Sequence, residues 1–320
     1  MKNKKILLTG GAGFIGSNIC KMLSSENEVL IYDNLNRNSI KNTSLYEKKN
    51  INIIQGDVLD YSYLKKVVDG FKPNIVIHLA AIAGIDTVIK NPVETMKVNM
   101  IGTYNILESL KDYADNIERF IDFSTSEVFG TYAYKVDEKS TTNLAPVGEA
   151  RWTYSVSKLA GEHLANSYYK QYGLSMVTIR PFNIYGPGQV GEGAVHEFII
   201  RAIKNEQIQI HGDGDQIRSW CYIDDFVSGI NLCLDKKEAV GNSFNIGNPK
   251  GTITIGMLAQ LIKQIANSKS KIVYVPKNYV DVELRVPSIE KAVKLLGFEP
   301  KYDLVQGLRK TIEWYRSVEK

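Results

Sequence analysis

The chain has 320 residues, 44% of them hydrophobic and 23% charged, with a formal net charge of +4. That is enough for a large core in one or two domains, and the spread-out charge with no basic stripe speaks against nucleic-acid binding. No apolar run reaches the length of a membrane span.

The three cysteines, Cys20, Cys221 and Cys233, are scattered and odd in number, as expected of reduced thiols in a cytoplasmic protein. The basic start, Met1 to Lys5, leads into a strand without a cleavage pattern, so no signal peptide is expected. His78, His163, His196 and His211 lack metal-ligand spacing, and no metal is expected.

Lys5 to Thr9 is a short apolar strand that enters Gly10-Gly11-Ala12-Gly13-Phe14-Ile15-Gly16, followed by a helix over Ser17 to Ser25. Glycines 10, 13 and 16 permit a tight turn, close backbone approach to a pyrophosphate, and a helix N-terminus offering amides to it. The next strand, Glu28 to Tyr32, ends at Asp33 and Asn34. A carboxylate there accepts from both ribose hydroxyls and repels a 2'-phosphate, favouring NAD over NADP, although Arg37 nearby argues the other way. A third strand, Ile51 to Ile54, closes in Gly56-Asp57-Val58. Asp57 either accepts from the adenine amine or caps the helix Tyr61 to Val68. Asn74 to Ala81 is a fourth strand, whose small C-terminal residues let a cofactor lie close. One helix is expected over Pro92 to Leu110, with Asn99 a polar residue amid apolar neighbours.

Phe120 to Phe123 is a fifth strand, delivering Ser124-Thr125-Ser126-Glu127-Val128-Phe129-Gly130 to the end of an open parallel sheet, where ligands bind. After a variable region comes a helix over Arg151 to Tyr172. Tyr154 and Lys158 are four apart on it and share a face. A phenol is a poor base at neutral pH, and an ammonium one turn away, with a cationic cofactor ring, favours the phenolate. Leu174 to Ile179 is a sixth strand, ending in Arg180-Pro181-Phe182-Asn183-Ile184-Tyr185-Gly186-Pro187-Gly188. Its proline and glycine imply a rigid switch into a second region. That region reads as short elements: helices at Val195 to Lys204, Phe226 to Leu234, Ile255 to Ile265 (capped by Thr254), Ile289 to Leu296 and Leu304 to Tyr315, and strands at Ile208 to Ile210 and Phe244 to Gly247. Arg285 is expected in a loop.

These motifs, with Gly212-Asp213-Gly214 ahead of Arg218, resemble the extended short-chain dehydrogenase/reductases that act on nucleotide sugars, over about Lys5 to Tyr315. The resemblance implies an α/β fold, a Rossmann-type doubly wound parallel sheet of seven strands. The NAD-binding domain would span 1–180 with later returns near 219–247, and a small C-terminal α/β substrate-binding lobe would fill mainly 181–320. It implies a firmly held NAD touching Gly10, Gly13, Phe14, Ile15, Gly16, Asp33, Asn34, Asp57, Val58, Leu79, Ala80, Ala81, Asn99, Tyr154 and Lys158. It also implies a nucleotide-diphosphate sugar as substrate, and a homodimer through a four-helix bundle built from Pro92 to Leu110 and Arg151 to Tyr172.

By the same resemblance Tyr154 is the base for the sugar C4 hydroxyl. Lys158 holds the nicotinamide ribose, and Thr125 bonds the reacting oxygen. Asn183 borders the sugar, Val195, Gln209, Arg218 and Arg285 grip the nucleotide, and Arg218 and Arg285 face the diphosphate. Three outcomes follow C4 oxidation. In a 4,6-dehydratase, the reading favoured here, Glu127 takes the C5 proton and Ser126 stands where glucose dehydratases carry an acidic residue. In a decarboxylase of nucleotide uronic acids, carbon dioxide leaves C5. In a 4-epimerase the keto sugar is reduced from its other face. Arg151-Trp152-Thr153-Tyr154-Ser155-Val156-Ser157-Lys158 resembles the bacterial UDP-glucuronic acid decarboxylase, yet the tyrosine those enzymes place shortly before Asn-Pro is missing from Asp86 to Pro92. Arg151 either contacts a substrate carboxylate or pairs with Glu149 or Glu138.

Overall fold

A computed structural model describes residues 1–144, 146–277 and 279–318, the side chains of residues 42 and 150 excepted. Seven strands form one parallel sheet, in the order Asn242–Ile246, Met176–Pro181, Arg119–Phe123, Ile75–His78, Lys5–Thr9, Glu28–Asp33, Ile51–Gln55. Strands buried on both faces read as unbroken apolar runs, and Ile6, Leu7 and Leu8 are all fully buried. Alternate side chains feed two cores: Ile6 and Leu8 join Ile19, Ile31, Ile77 and Phe226, while Leu7 joins Val76, Ile106, Leu107 and Phe120. Each such aliphatic side chain contributes about 1.5–3 kcal/mol.

The chain leaves Lys5–Thr9 toward one edge of the sheet, then resumes on the other side at Ile75–His78. The crevice at this reversal is where open α/β sheets bind ligands. Strand Asn242–Ile246 returns to complete the main sheet beside Met176–Pro181. A second sheet runs Thr252–Thr254, Ile217–Ser219, Leu284–Pro287, Tyr132–Val136. Arg285 therefore lies in a strand and not in a loop, because Leu284–Pro287 is paired on both edges. Tyr132–Val136, in the stretch read as variable, is hydrogen-bonded to this C-terminal strand.

The helix expected over Pro92 to Leu110 is interrupted. Pro92–Met96 and Gly102–Leu110 are α-helical, and Lys97–Ile101 between them is a π-helical turn. An unforeseen short helix, Ile85–Lys90, precedes it. The long helix Ala150–Tyr172 ends at Gly173 in the left-handed conformation. Among the described residues no helix is long and apolar enough to cross a membrane.

Candidate active site

At the end of Lys5–Thr9, Gly10 has φ 70°, and a Cβ there would stand 2.5 Å from the Ala80 nitrogen. Only glycine lets these two strand ends approach so closely. One cleft is lined by Gly10, Gly13, Asp33, Asn34, Arg37, Gly56, Asp57, Val58 and the Leu79–Ala83 segment. The Asp33 carboxylate accepts from the Ala12 amide (2.9 Å) and the Leu35 amide (2.7 Å), tying the glycine turn to the second strand. Burial pushes its pKa up and those two amides draw it back. Asp57 accepts from the Leu59 amide, and the cap of helix Tyr61–Phe71 falls to Asp60, which accepts from Tyr63 (3.0 Å). The capping alternative for Asp57 is thereby removed.

Four residues expected at the cofactor or nucleotide sit differently. Phe14 and Ile15 pack their side chains against the core and open the helix Phe14–Leu23. Asn99, in the π-helical turn, grips both backbone groups of one residue: it accepts from the Ile82 amide (2.8 Å) and donates to the Ile82 carbonyl (3.0 Å). It also donates to the Ser157 hydroxyl (3.0 Å), so its carboxamide is spent on holding the cleft wall against the long helix. Val195 is 1% exposed and packs in the core, because helix Ala194–Lys204 turns positions 195, 198, 199 and 202 inward. Ala194 and Phe198 line the neighbouring cleft in its place.

Thr125, Ser126, Glu127 and Tyr154 converge on a hollow also lined by Asn183 and Arg285. The Thr125 hydroxyl lies on the same hollow as the Tyr154 phenol and accepts from the Glu127 amide (3.2 Å). Burial raises the phenol pKa first, the Glu127 charge raises it further, and Thr125 and Arg285 oppose this without prevailing. Lys158, expected to favour the phenolate, is not among the groups that shift it. The lysine is itself buried, which lowers its pKa, with Asp122 acting to restore it. The protein's own groups thus keep the phenol protonated. Asn183 adopts φ 46°, which asparagine tolerates, and donates to the Ser219 carbonyl (3.0 Å).

Beside this hollow lies a larger cleft whose lining includes Glu127, Arg151, Gln209, Arg218, Trp220, Tyr279, Asp281 and Arg285. Its charges form one cluster. Arg151 donates to Glu127 (3.0 Å) and to Asp281 (2.8 Å), Arg218 to Asp281 (3.2 Å), and Arg285 to Glu127 (3.4 Å). Neither surface partner considered for Arg151 is used; it is 7% exposed and points inward. Burial pushes the Glu127 carboxyl up, but Arg151, Arg285 and Arg218 outweigh that and hold it below the usual carboxylate range. Three guanidiniums face two carboxylates, and Nε of Arg151 and Nε and Nη2 of Arg285 are buried without a protein acceptor. Burying unpaired donors is costly unless an anion meets them.

A profile of the NAD dependent epimerase/dehydratase family matches residues 6–247. The chain belongs to this family. It is 33% identical to the UDP-N-acetyl-alpha-D-glucosaminuronate decarboxylase of Bacillus cytotoxicus, covering 99% of both chains. It is 32% identical to the UDP-glucuronate 4-epimerase of Thermodesulfobacterium geofontis, over 96% of this chain and 95% of that one. The structure superposes with a TM-score of 0.89 and 30% identity on the Bacillus cereus UDP-glucuronic acid 4-epimerase in complex with UDP-glucuronic acid and NAD, covering 98% and 99% of the chains. Other family relatives are UDP-glucuronic acid decarboxylases and dTDP-glucose 4,6-dehydratases. The protein is an NAD-dependent enzyme of this family.

The cleft residues fit NAD. Gly10 and Gly13 present bare backbone to the cleft, as a pyrophosphate requires, and Asp33 lines it with its carboxylate. Sequence reasoning missed Asp281, the acceptor shared by two arginines, and Tyr279 beside it. An acidic residue in Tyr279-Val280-Asp281-Val282 carries no local signal, and only pairing with positions 130 and 63 residues away gives it a role.

Proposed function

We propose that the enzyme oxidises a nucleotide-diphosphate-linked uronic acid at C4 and decarboxylates the resulting 4-keto sugar. The observation that carries this reading is the surplus of buried guanidiniums over carboxylates beside Tyr154, with donors left open. A substrate bearing a diphosphate and a carboxylate matches that charge; a neutral sugar uses less of it.

NAD, when bound between the Gly10 turn and the Leu79–Ala83 wall, supplies the acceptor and later the donor of the C4 hydride. Tyr154 takes the C4 hydroxyl proton once a cationic ring and Lys158 offset the burial that holds the phenol protonated. Thr125, on the same hollow as the phenol, steadies the reacting oxygen. Arg285 and Arg151 orient the carboxylate so that its bond to C5 lies along the orbitals of the C4 carbonyl. Carbon dioxide departs, the carbonyl accepts the electron pair, and a proton reaches C5 from solvent through the Ser126 side of the hollow.

A 4,6-dehydratase needs a base for the C5 proton. Glu127, ion-paired to Arg151 and Arg285, is a weak one, so this outcome has less support than it had from Ser126-Glu127 alone. The second reading is a 4-epimerase of the same uronic acids. It shares the arginines and Tyr154 and is favoured by the likeness to uronate epimerases.

The test is incubation with a panel of nucleotide sugars and mass analysis of products. Loss of carbon dioxide from a nucleotide uronate supports the proposal, an unchanged mass with a new isomer supports epimerisation, and loss of water from a neutral sugar overturns both. The homodimer belongs to this proposal as well. Val93, Ile101 and Tyr104 on one helical segment, and Val156 and Tyr172 on the long helix, are exposed apolar residues suited to a four-helix contact with a second copy. A monomeric sedimentation coefficient would remove that contact.

A further inference from the structure

Glu192 lies outside the hydroxyl-oxidising set, in Gly186-Pro187-Gly188-Gln189-Val190-Gly191-Glu192-Gly193, where four residues of eight are glycine. Such a segment loses much conformational freedom when ordered and needs attachments to stay put. Three attachments hold it. Ser39 donates to the Gly188 carbonyl (2.9 Å), Tyr315 donates to the Gln189 carbonyl, and Glu192 reaches across to the segment after the fourth strand. There its carboxylate accepts from the amides of Asp86 (2.8 Å) and Thr87 (3.0 Å) and from the Thr87 hydroxyl. A Cβ on Gly84 would lie 2.7 Å from that carboxylate, so the contact also depends on bare backbone.

Arg37 completes the arrangement, donating to the Thr87 hydroxyl oxygen (3.2 Å) and standing 3.6 Å from Glu192. Arg37 follows the second strand and Thr87 follows the fourth, and both line the dinucleotide cleft. The Glu192–Thr87–Arg37 group therefore links two walls of that cleft and ties the glycine-rich segment to both.

We propose that Glu192 is a latch: its carboxylate holds segment 186–193 against Thr87 and Arg37 on two walls of the cleft, so that NAD exchanges only when this contact opens. The latch is a positioning device and takes no part in the chemistry, so it stands whichever outcome follows C4 oxidation. Magnitudes decide which contact matters. The half-exposed Arg37–Glu192 pair contributes little, whereas a carboxylate accepting two backbone amides and a hydroxyl is held by charge-assisted bonds.

The experiment loads the full-length enzyme with NAD and follows release into an excess of a fluorescent NAD analogue. Glu192→Ala is expected to speed release by about tenfold or more, and Glu192→Gln, which keeps one acceptor oxygen but not the charge, by a smaller factor. At saturating added NAD, kcat for the nucleotide sugar that the panel identifies, or for C4 oxidation if no product forms, should stay within about twofold. Release unchanged in both variants overturns the latch, as does a fall in kcat without faster release. If Glu192→Ala fails to fold, Glu192→Gln alone decides between these results.

Discussion

Arg218 and Arg285 are register partners on adjacent parallel strands, so two buried guanidiniums lie side by side. Burial and the Arg285 charge pull the Arg218 pKa down to about 10. Two like charges are tolerable there because Asp281 meets one and Glu127 the other. The arrangement resembles a site awaiting a further anion more than a stabilising ion pair, since buried pairs return little net stability.

Arg285→Gln should therefore harm binding more than folding. The expected result is a KM for a nucleotide uronate raised by about tenfold or more, the loss of a charge-assisted bond of ~1.5–3 kcal/mol. Steady-state kinetics on a uronate and on its neutral counterpart check this. An equal change for both would separate Arg285 from the carboxylate.

Tyr154→Phe removes the phenol while keeping the ring. Turnover should fall by roughly 10²–10⁴, and NAD should remain bound, as its cleft is formed largely by other residues. Product formation with parallel measurement of bound nucleotide is the check.

Glu127→Ala strands Arg285 and leaves Arg151 with Asp281 alone. Breaking a buried pair from one side costs about 3 kcal/mol. The Glu127 pKa is lowered in the folded protein from its ordinary 4.5. The stability it contributes is therefore present above pH 4.5 and lost as pH falls through the lower folded value. Denaturant unfolding of parent and variant, at neutral pH and in acid, should show the gap narrowing in acid.

His78 is fully buried between the hydroxyls of Thr9 (2.6 Å) and Thr103 (3.0 Å). Burial, with the Lys158 charge, depresses its pKa from 6.5 to about 3. The unfolded chain takes the proton first, so His78 costs stability as pH falls from 6.5 toward 3, by roughly 1.4 kcal/mol per pH unit. Asp122, raised to about 6 by burial, acts oppositely over part of that range. The clean measurement is thus the difference between parent and His78→Asn, which should shift in favour of the variant as acid is added.

Much of the cofactor half was legible because its signals are local. The Gly10 turn, the acidic end of the second strand, and Tyr154 with Lys158 each depend on residues within a turn or a strand of one another, where steric and helical periodicity dictate geometry. The apolar runs likewise announced the parallel sheet, since strands covered on both faces have no polar alternation to conceal them. What only the tertiary structure decided lies in contacts between distant segments: Arg285 in a strand paired on both edges, Asp281 joining Arg151 to Arg218, Glu192 closing on the Asp86 and Thr87 amides, and Glu127 drawn into ion pairs. An isolated Asp, Glu or Arg carries no record of its partner. Whether Glu127 behaves as a base or as a counter-ion is set by the charges that folding brings within 4 Å of it, here Arg151 and Arg285.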